Sequence, residues 1–180
     1  MKPPSTPGTL IARPAALSTD ALSTGAPSSV LLDGDLAAPV RLTLEELRTW
    51  PQHPARVSFH CATSGMRRHS FTGPLLHEVA RRAVPSAIPE LRKERACVLV
   101  TVTGLDGHRA VLSWAEIDPE YARRPVLLAL RADGAALGLQ GPQLVVPQDR
   151  CGVRYISGVV RIWIGVHPAP VRSEDPAAAR

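Results

Sequence analysis

The chain has 180 residues, 44% of them hydrophobic, a formal charge of +5 and a sequence pI near 9.7. That length suits one domain with loose ends, and that apolar share excludes a wholly disordered coil. The arginines are scattered, with no zinc-finger spacing and no aromatic RNA-binding signature, so no nucleic-acid partner is expected; no segment approaches the roughly 20 apolar residues of a membrane span.

Cys61, Cys97 and Cys151 lie far apart. An odd count without paired spacing speaks against a disulfide framework, and the lack of a C-x-x-C pair against structural zinc. Reduced thiols and the missing apolar signal core point to a cytoplasmic, soluble protein. Residues 1–29, rich in Pro, Ser, Thr, Gly and Ala, read as a disordered arm; 30–170 read as the folded domain and 171–180 as a flexible tail.

Val30-Leu31-Leu32 predicts a short strand and Asp33-Gly34-Asp35 a turn after it. Thr43-Leu44-Glu45-Glu46 is a capping box, opening a short helix that stops before Pro51. Arg56-Val57-Ser58-Phe59-His60 alternates and predicts a strand that delivers the chain to Cys61 and the polar loop Ala62-Thr63-Ser64. Gly73-Pro74 opens a helix with Leu75, Leu76, Val79, Ala80 and Ala83 on one face and His77, Glu78, Arg81 and Arg82 on the other. The β-branched run Val98–Val102 predicts a central strand. Asp106-Gly107-His108 reads primarily as a tight turn, and Ser113 to Glu116 as a second capping box. Val126–Leu130, Leu144–Val146 and Val159–Val166 complete the strands. In the last, Val160, Ile162 and Ile164 are expected on one face, with Val159, Arg161 and Trp163 on the other. Strands outnumber helices, which predicts an α+β, mainly β fold with a mixed or antiparallel sheet.

The order of these pieces resembles the molybdopterin-binding domain of sulfite-oxidase-type oxidoreductases, in a small single-domain form. The resemblance is carried by Leu31-Leu32-Asp33-Gly34-Asp35 with Leu42 to Leu47, by Phe59-His60-Cys61-Ala62-Thr63-Ser64-Gly65 leading to Phe71-Thr72-Gly73-Pro74-Leu75-Leu76, and by Gly104 to His108. It continues through Val126 to Leu130 with Asp133 to Leu137, and ends in Gly141-Pro142-Gln143-Leu144-Val145-Val146-Pro147 with Gly152 to Ile162. Leu139-Gln140 stands where many family members have His-Gly.

The resemblance implies molybdenum held by a pterin dithiolene, with Cys61 as the protein's thiolate on the metal; soft sulfur suits such a metal. Oxygen-atom transfer to or from a small-molecule substrate follows, with electrons leaving through a redox partner protein. The alternative is a non-enzymatic regulatory module of the same fold that binds a metal-free pterin. His60, Arg67 and Arg68, with His69, gather around Cys61 in the sequence; the arginine fork matches the cofactor's phosphate, and neighbouring cations favour thiolate. Arg150 and Arg154 flank Cys151 and Gly152 in a turn that can help hold the same anionic end. His108 is a candidate for facing the pocket as a proton donor. Trp114 and Trp163 are candidates for stacking on the pterin, with core packing the stronger expectation for Trp163.

Overall fold

A computed structural model describes residues 27–61, 65–123 and 125–166, with the backbone alone for Cys61 and Pro85. The arm over 1–26, the tail over 171–180 and the loop Ala62-Thr63-Ser64 lie outside the described residues. Pro27, Ser28 and Ser29, expected at the end of the arm, belong to the folded body: the Ser28 carbonyl accepts from the Leu44 amide at 3.0 Å.

The elements in chain order are β1 (Ser29–Gly34), β2 (Val40–Thr43), α1 (Leu44–Thr49), β3 (His53–Cys61), β4 (Gly65–Gly73), α2 (Leu76–Ala83), α3 (Arg92–Arg95), β5 (Val98–Gly104), β6 (Arg109–Ser113) and α4 (Trp114–Ile117). After these come β7 (Leu127–Ala129), β8 (Arg131–Ala132), β9 (Ala135–Ala136), β10 (Gln143–Val145) and β11 (Val159–Val166). The five-stranded sheet runs β2-β1-β11-β5-β6, the four-stranded sheet β3-β4-β8-β9, and β7 pairs with β10. Only β1 with β11 is parallel among the named strand pairs. The α+β, mainly β architecture predicted from the strand count is the one that forms.

Asp33 and Gly34 are strand, where a turn was expected. A Cβ on Gly34 would stand 2.0 Å from the Ile164 carbonyl oxygen, and its φ is +124°. The glycine is there because β11 comes close alongside, in a backbone conformation that L side chains disfavour. Asp35 continues the contact, its amide donating to the Ile164 carbonyl at 2.8 Å and its carboxylate accepting from the Val166 amide at 2.9 Å.

The Thr43 box forms as expected: the Thr43 hydroxyl accepts from the Glu46 amide at 3.2 Å, and the Glu46 carboxylate accepts from the Thr43 amide at 2.7 Å. At α4 the Glu116 carboxylate accepts from the Ser113 amide at 2.8 Å and hydroxyl at 3.2 Å. Each box fixes where the chain leaves a strand and enters a helix.

Helix α2 lays Leu76, Val79 and Ala80 into the main core, which also takes Val30, Leu32, Val100, Val102, Ile162 and Ile164. Fully burying each large aliphatic side chain is worth about 1.5–3 kcal/mol. His77 departs from the expected polar face: it is 9% exposed, and burial holds its imidazole below the ordinary histidine range. Along β11 the strict alternation also breaks. A register shift between Val159 and Arg161 lets Val159 join Ile162 and Ile164 in the core, while Val160 is half-buried. The extra residue of a bulge turns the side chains before it to the other face.

A second, smaller core lies under the β3–β4 ribbon, built from Ala55, Val57, Phe71, Leu127, Ala129, Leu137, Val145 and Tyr155. Gly73 permits the approach of β4 to β7, since a Cβ there would meet the Leu128 carbonyl oxygen at 2.2 Å.

Candidate functional site

Strand β3 ends at Cys61, which pairs with Gly65 across the ribbon. The strand is held at that end by a loop from far along the chain. The His60 amide donates to the Arg150 carbonyl at 2.9 Å, and His60 and Cys151 form a parallel bridge. Phe59 secures the same junction. Its ring stacks on Tyr155 with centroids 4.4 Å apart, and a Cβ on Gly152 would lie 2.9 Å from it. The Tyr155 hydroxyl donates to the Val146 carbonyl, and burial pushes its pKa up to about 12. The cysteine-bearing strand end and the Arg150–Arg154 turn, separate in sequence, are therefore one piece of structure.

Beside this junction is a cavity of about 500 Å³. Phe59, Arg67, His69 and Phe71 of the ribbon form one side; Asp133 and Leu137 from the β8–β9 region, with Gln140, Gln143 and Ser157, form the rest. Aromatic surface, amide groups, a hydroxyl and a guanidinium thus share one concave space. The Asp133 carboxylate fixes His69, accepting from Nδ1 at 2.7 Å, and takes the Ser70 amide at 2.8 Å. The His69 and Ser70 hydrogen bonds hold its carboxyl below the usual range. Asp133 reaches this position from a turn with φ of +49°, next to Gly134 at +83°.

The residues expected to surround one cofactor are divided by the fold. Arg67 lines the cavity. Arg68 points to the other face of β4 and lines a different cleft, because successive residues of a strand face opposite ways. His60 and Arg150 are exposed at the strand-end junction. Arg154 does not present a free fork to an anion. It donates to Asp149 at 2.8 and 2.6 Å and to Glu116 at 2.7 Å, and these carboxylates keep it firmly charged. Burial pushes the Glu116 carboxyl up, but Arg154 and the Ser113 amide and hydroxyl outweigh it and hold it below the usual carboxylate range.

His108 is exposed in the turn between β5 and β6, its amide donating to the Asp106 carboxylate at 2.9 Å. The expected tight turn is present; the Leu105 amide ties it to the Gly158 carbonyl at 2.9 Å, beside cavity residue Ser157. His108 itself does not line the cavity. Trp114 cannot stack on a pterin: it is 0% exposed, and its indole N–H donates to Asp118 at 2.6 Å. Trp163 is half-buried, and a Cβ on Gly165 would meet its ring at 2.2 Å.

The residues that sequence reasoning missed are Phe59, Gln140, Gln143 and Ser157 as cavity walls, and Asp133 as the partner of His69. The signal for Asp133 was present in the Asp-Gly pair, which marks a turn with positive φ. Nothing local marks that this turn folds back on β4.

The family model described as "Oxidoreductase molybdopterin binding domain" matches residues 28–170. No curated protein sequence matches the chain. Among solved structures, the crystal structure of the sulfane dehydrogenase SoxCD from Paracoccus pantotrophus is similar, with a TM-score of 0.60 and 20% identity. The match covers 81% of this chain and 40% of that one, so this chain spans well under two thirds of that protein's length. At that identity the likeness speaks for the fold, which is the sulfite-oxidase-like, molybdopterin-binding one.

Proposed function

This chain belongs to the oxidoreductase molybdopterin binding domain family, and on that premise we propose that it is a small molybdopterin-dependent module in which Cys61 ligates molybdenum. The molybdopterin-binding unit is read as spanning about residues 30–170. One observation carries the proposal: the end of β3 at Cys61 is braced by Arg150 and Cys151, two residues beyond Phe59, a wall of the 500 Å³ cavity.

The cavity's chemistry fits the cofactor. Its volume lies within the range of small-molecule sites. Gln140 and Gln143 offer amide donors and acceptors for a polar ring edge, and Ser157 adds a hydroxyl. Arg67 would hold the phosphate with its planar fork, and Phe59 gives an apolar wall. His60 and Arg150 would add positive charge near the Cys61 position, favouring thiolate. Arg154 acts one step back, as a positioning residue whose ion pairs fix the turn behind Cys151.

When bound, the molybdenum–pterin group supplies two-electron oxygen-atom transfer. This chain's own residues hold it, orient it and shape the approach to it. His69, fixed through Nδ1 by Asp133, is placed to hold a proton at the cavity wall. The reading includes a small-molecule substrate, a redox partner protein that takes up the electrons, and a cytoplasmic setting. Exposed, free Cys97 and Cys151 suit a reducing compartment. Among the described residues no helix is long and apolar enough to cross a membrane.

A second reading is a regulatory module that binds metal-free pterin. Gln140 favours it, lining the cavity where many family members have His-Gly. Metal content separates the two. X-ray absorption at the molybdenum edge of purified protein is expected to show protein sulfur beside the dithiolene pair. Cys61→Ser should lose that one sulfur while keeping bound pterin and the wild-type melting temperature. An unchanged sulfur count in Cys61→Ser would remove Cys61 from the metal.

A further inference from the structure

The β3–β4 ribbon has a second face, carrying a charge pattern that the cofactor cavity does not use. The triplets Arg56-Val57-Ser58 and Arg68-His69-Ser70 lie on its two strands. The register sets Arg56 opposite Ser70 and Ser58 opposite Arg68. Strand alternation puts all four on one face and Val57, Phe59, Arg67 and Phe71 on the other. Direct cross-strand partners stand about 5 Å apart and diagonal ones about 7–8 Å. The register thus sets two arginines on one diagonal of this face and two serines on the other.

The same four residues line a cleft of about 540 Å³, with Val57, His69, Asp133 and Pro147 completing its walls at the edge of the ribbon. Among the described residues no carboxylate pairs with Arg56 or Arg68. The one negative group in the wall, Asp133, is already occupied by His69 and the Ser70 amide. The Ser58 hydroxyl has the Met66 sulfur at 3.3 Å, a weak acceptor that it can leave for an oxyanion. Four exposed or half-exposed donors converging on a cleft, two of them charged and unpaired, are complementary to a tetrahedral oxyanion.

We propose that this outer cleft is a second anion site, taking a phosphate- or sulfate-type oxyanion, free or as the end group of a larger molecule. Arg56 and Arg68 clamp it, and Ser58 and Ser70 donate to its remaining oxygens. Arg56, Ser58, Arg68 and Ser70 are not walls of the cofactor cavity, whereas His69 and Asp133 border both spaces, so the anion site adjoins that cavity without using its cofactor-holding arginine, Arg67.

Titration calorimetry of the full chain at constant ionic strength tests it, with inorganic phosphate, inorganic sulfate and phenyl phosphate as probes. Saturable binding is expected, weakened at least about tenfold by Arg56→Gln and by Arg68→Gln, and less by Arg68→Lys, which keeps the charge but not the fork. Arg109→Gln, on the exposed part of β6, should leave binding unchanged. Tighter phenyl phosphate than phosphate identifies an end-group ligand; the reverse identifies the free ion. No saturable binding of any probe, binding indifferent to both Arg56→Gln and Arg68→Gln, or an equal loss in Arg109→Gln would overturn the proposal.

Discussion

Arg67, Arg68 and Arg154 carry the same side chain and end in three different situations. Arg67 and Arg68 are split by strand alternation, a rule legible in the sequence once β4 is assigned. The fate of Arg154 is not legible, because its partners Asp149 and Glu116 stand 5 and 38 residues away. Removing its guanidinium leaves two partly buried carboxylates without the cation they share. Arg154→Ala should therefore destabilise the protein by about 1–3 kcal/mol, less than for a fully buried pair because Glu116 is partly open to solvent, measured by urea denaturation. A change within about 0.5 kcal/mol, as at an ordinary surface position, would show that the network does not hold the turn. Cys61 was legible as the terminus of a strand, and that is where its backbone lies. His69 was seen only as a nearby cation; its carboxylate partner comes from a hairpin more than 60 residues on.

Among the elements, both capping boxes and the strands β3, β5, β7, β10 and β11 were readable, because their signals are local hydroxyl–carboxylate spacing and apolar alternation. Three features were not. Gly34 resembled a turn residue but serves a close strand approach, and the bulge in β11 reversed the facing of Val159 and Val160. His77 is covered by the segment after α4, where it shares a small pocket with Ile117, Pro119 and Pro125. Residue spacing reports one helix face; which further face is covered depends on what packs there. Burial disfavours the charged imidazole, so the folded pKa lies below the unfolded 6.5. The unfolded chain then binds the proton more readily, and stability falls as pH drops below about 6.5. Urea midpoints at pH 7.5 and pH 5.5 should differ in that direction, and His77→Gln should shrink the difference. An identical pH dependence in His77→Gln would assign the acid sensitivity to other groups.

Asp118 shows how the same helix is anchored. It is 2% exposed and accepts from the Trp114 indole, the Glu120 amide at 2.9 Å and Arg81 at 3.1 Å. Burial pushes its carboxyl up, and these three donors outweigh it, keeping it ionised. Arg81 also lies over the Trp114 ring at 5.5 Å, so α2 and α4 share one polar clasp inside an apolar core. That clasp takes Trp114 away from any ligand.

For the molecule as a whole, the fold could be read from the order of short motifs, each weak alone, because that order is the order of strands and turns around one core. The candidate site could be read only in part. Its cavity is assembled from β3, β4, the β8–β9 turn and residues 140, 143 and 157, which meet through tertiary packing with no local signature. The most direct measurement is the cofactor content of the full chain, freshly purified from cells that make molybdopterin: molybdenum by elemental analysis and pterin by fluorescence after denaturation. About one of each per chain is expected, as a cavity built around Arg67, Gln140 and Ser157 takes one small ligand. Protein that is folded, fully soluble and free of both would contradict the assignment of that cavity to a molybdenum cofactor.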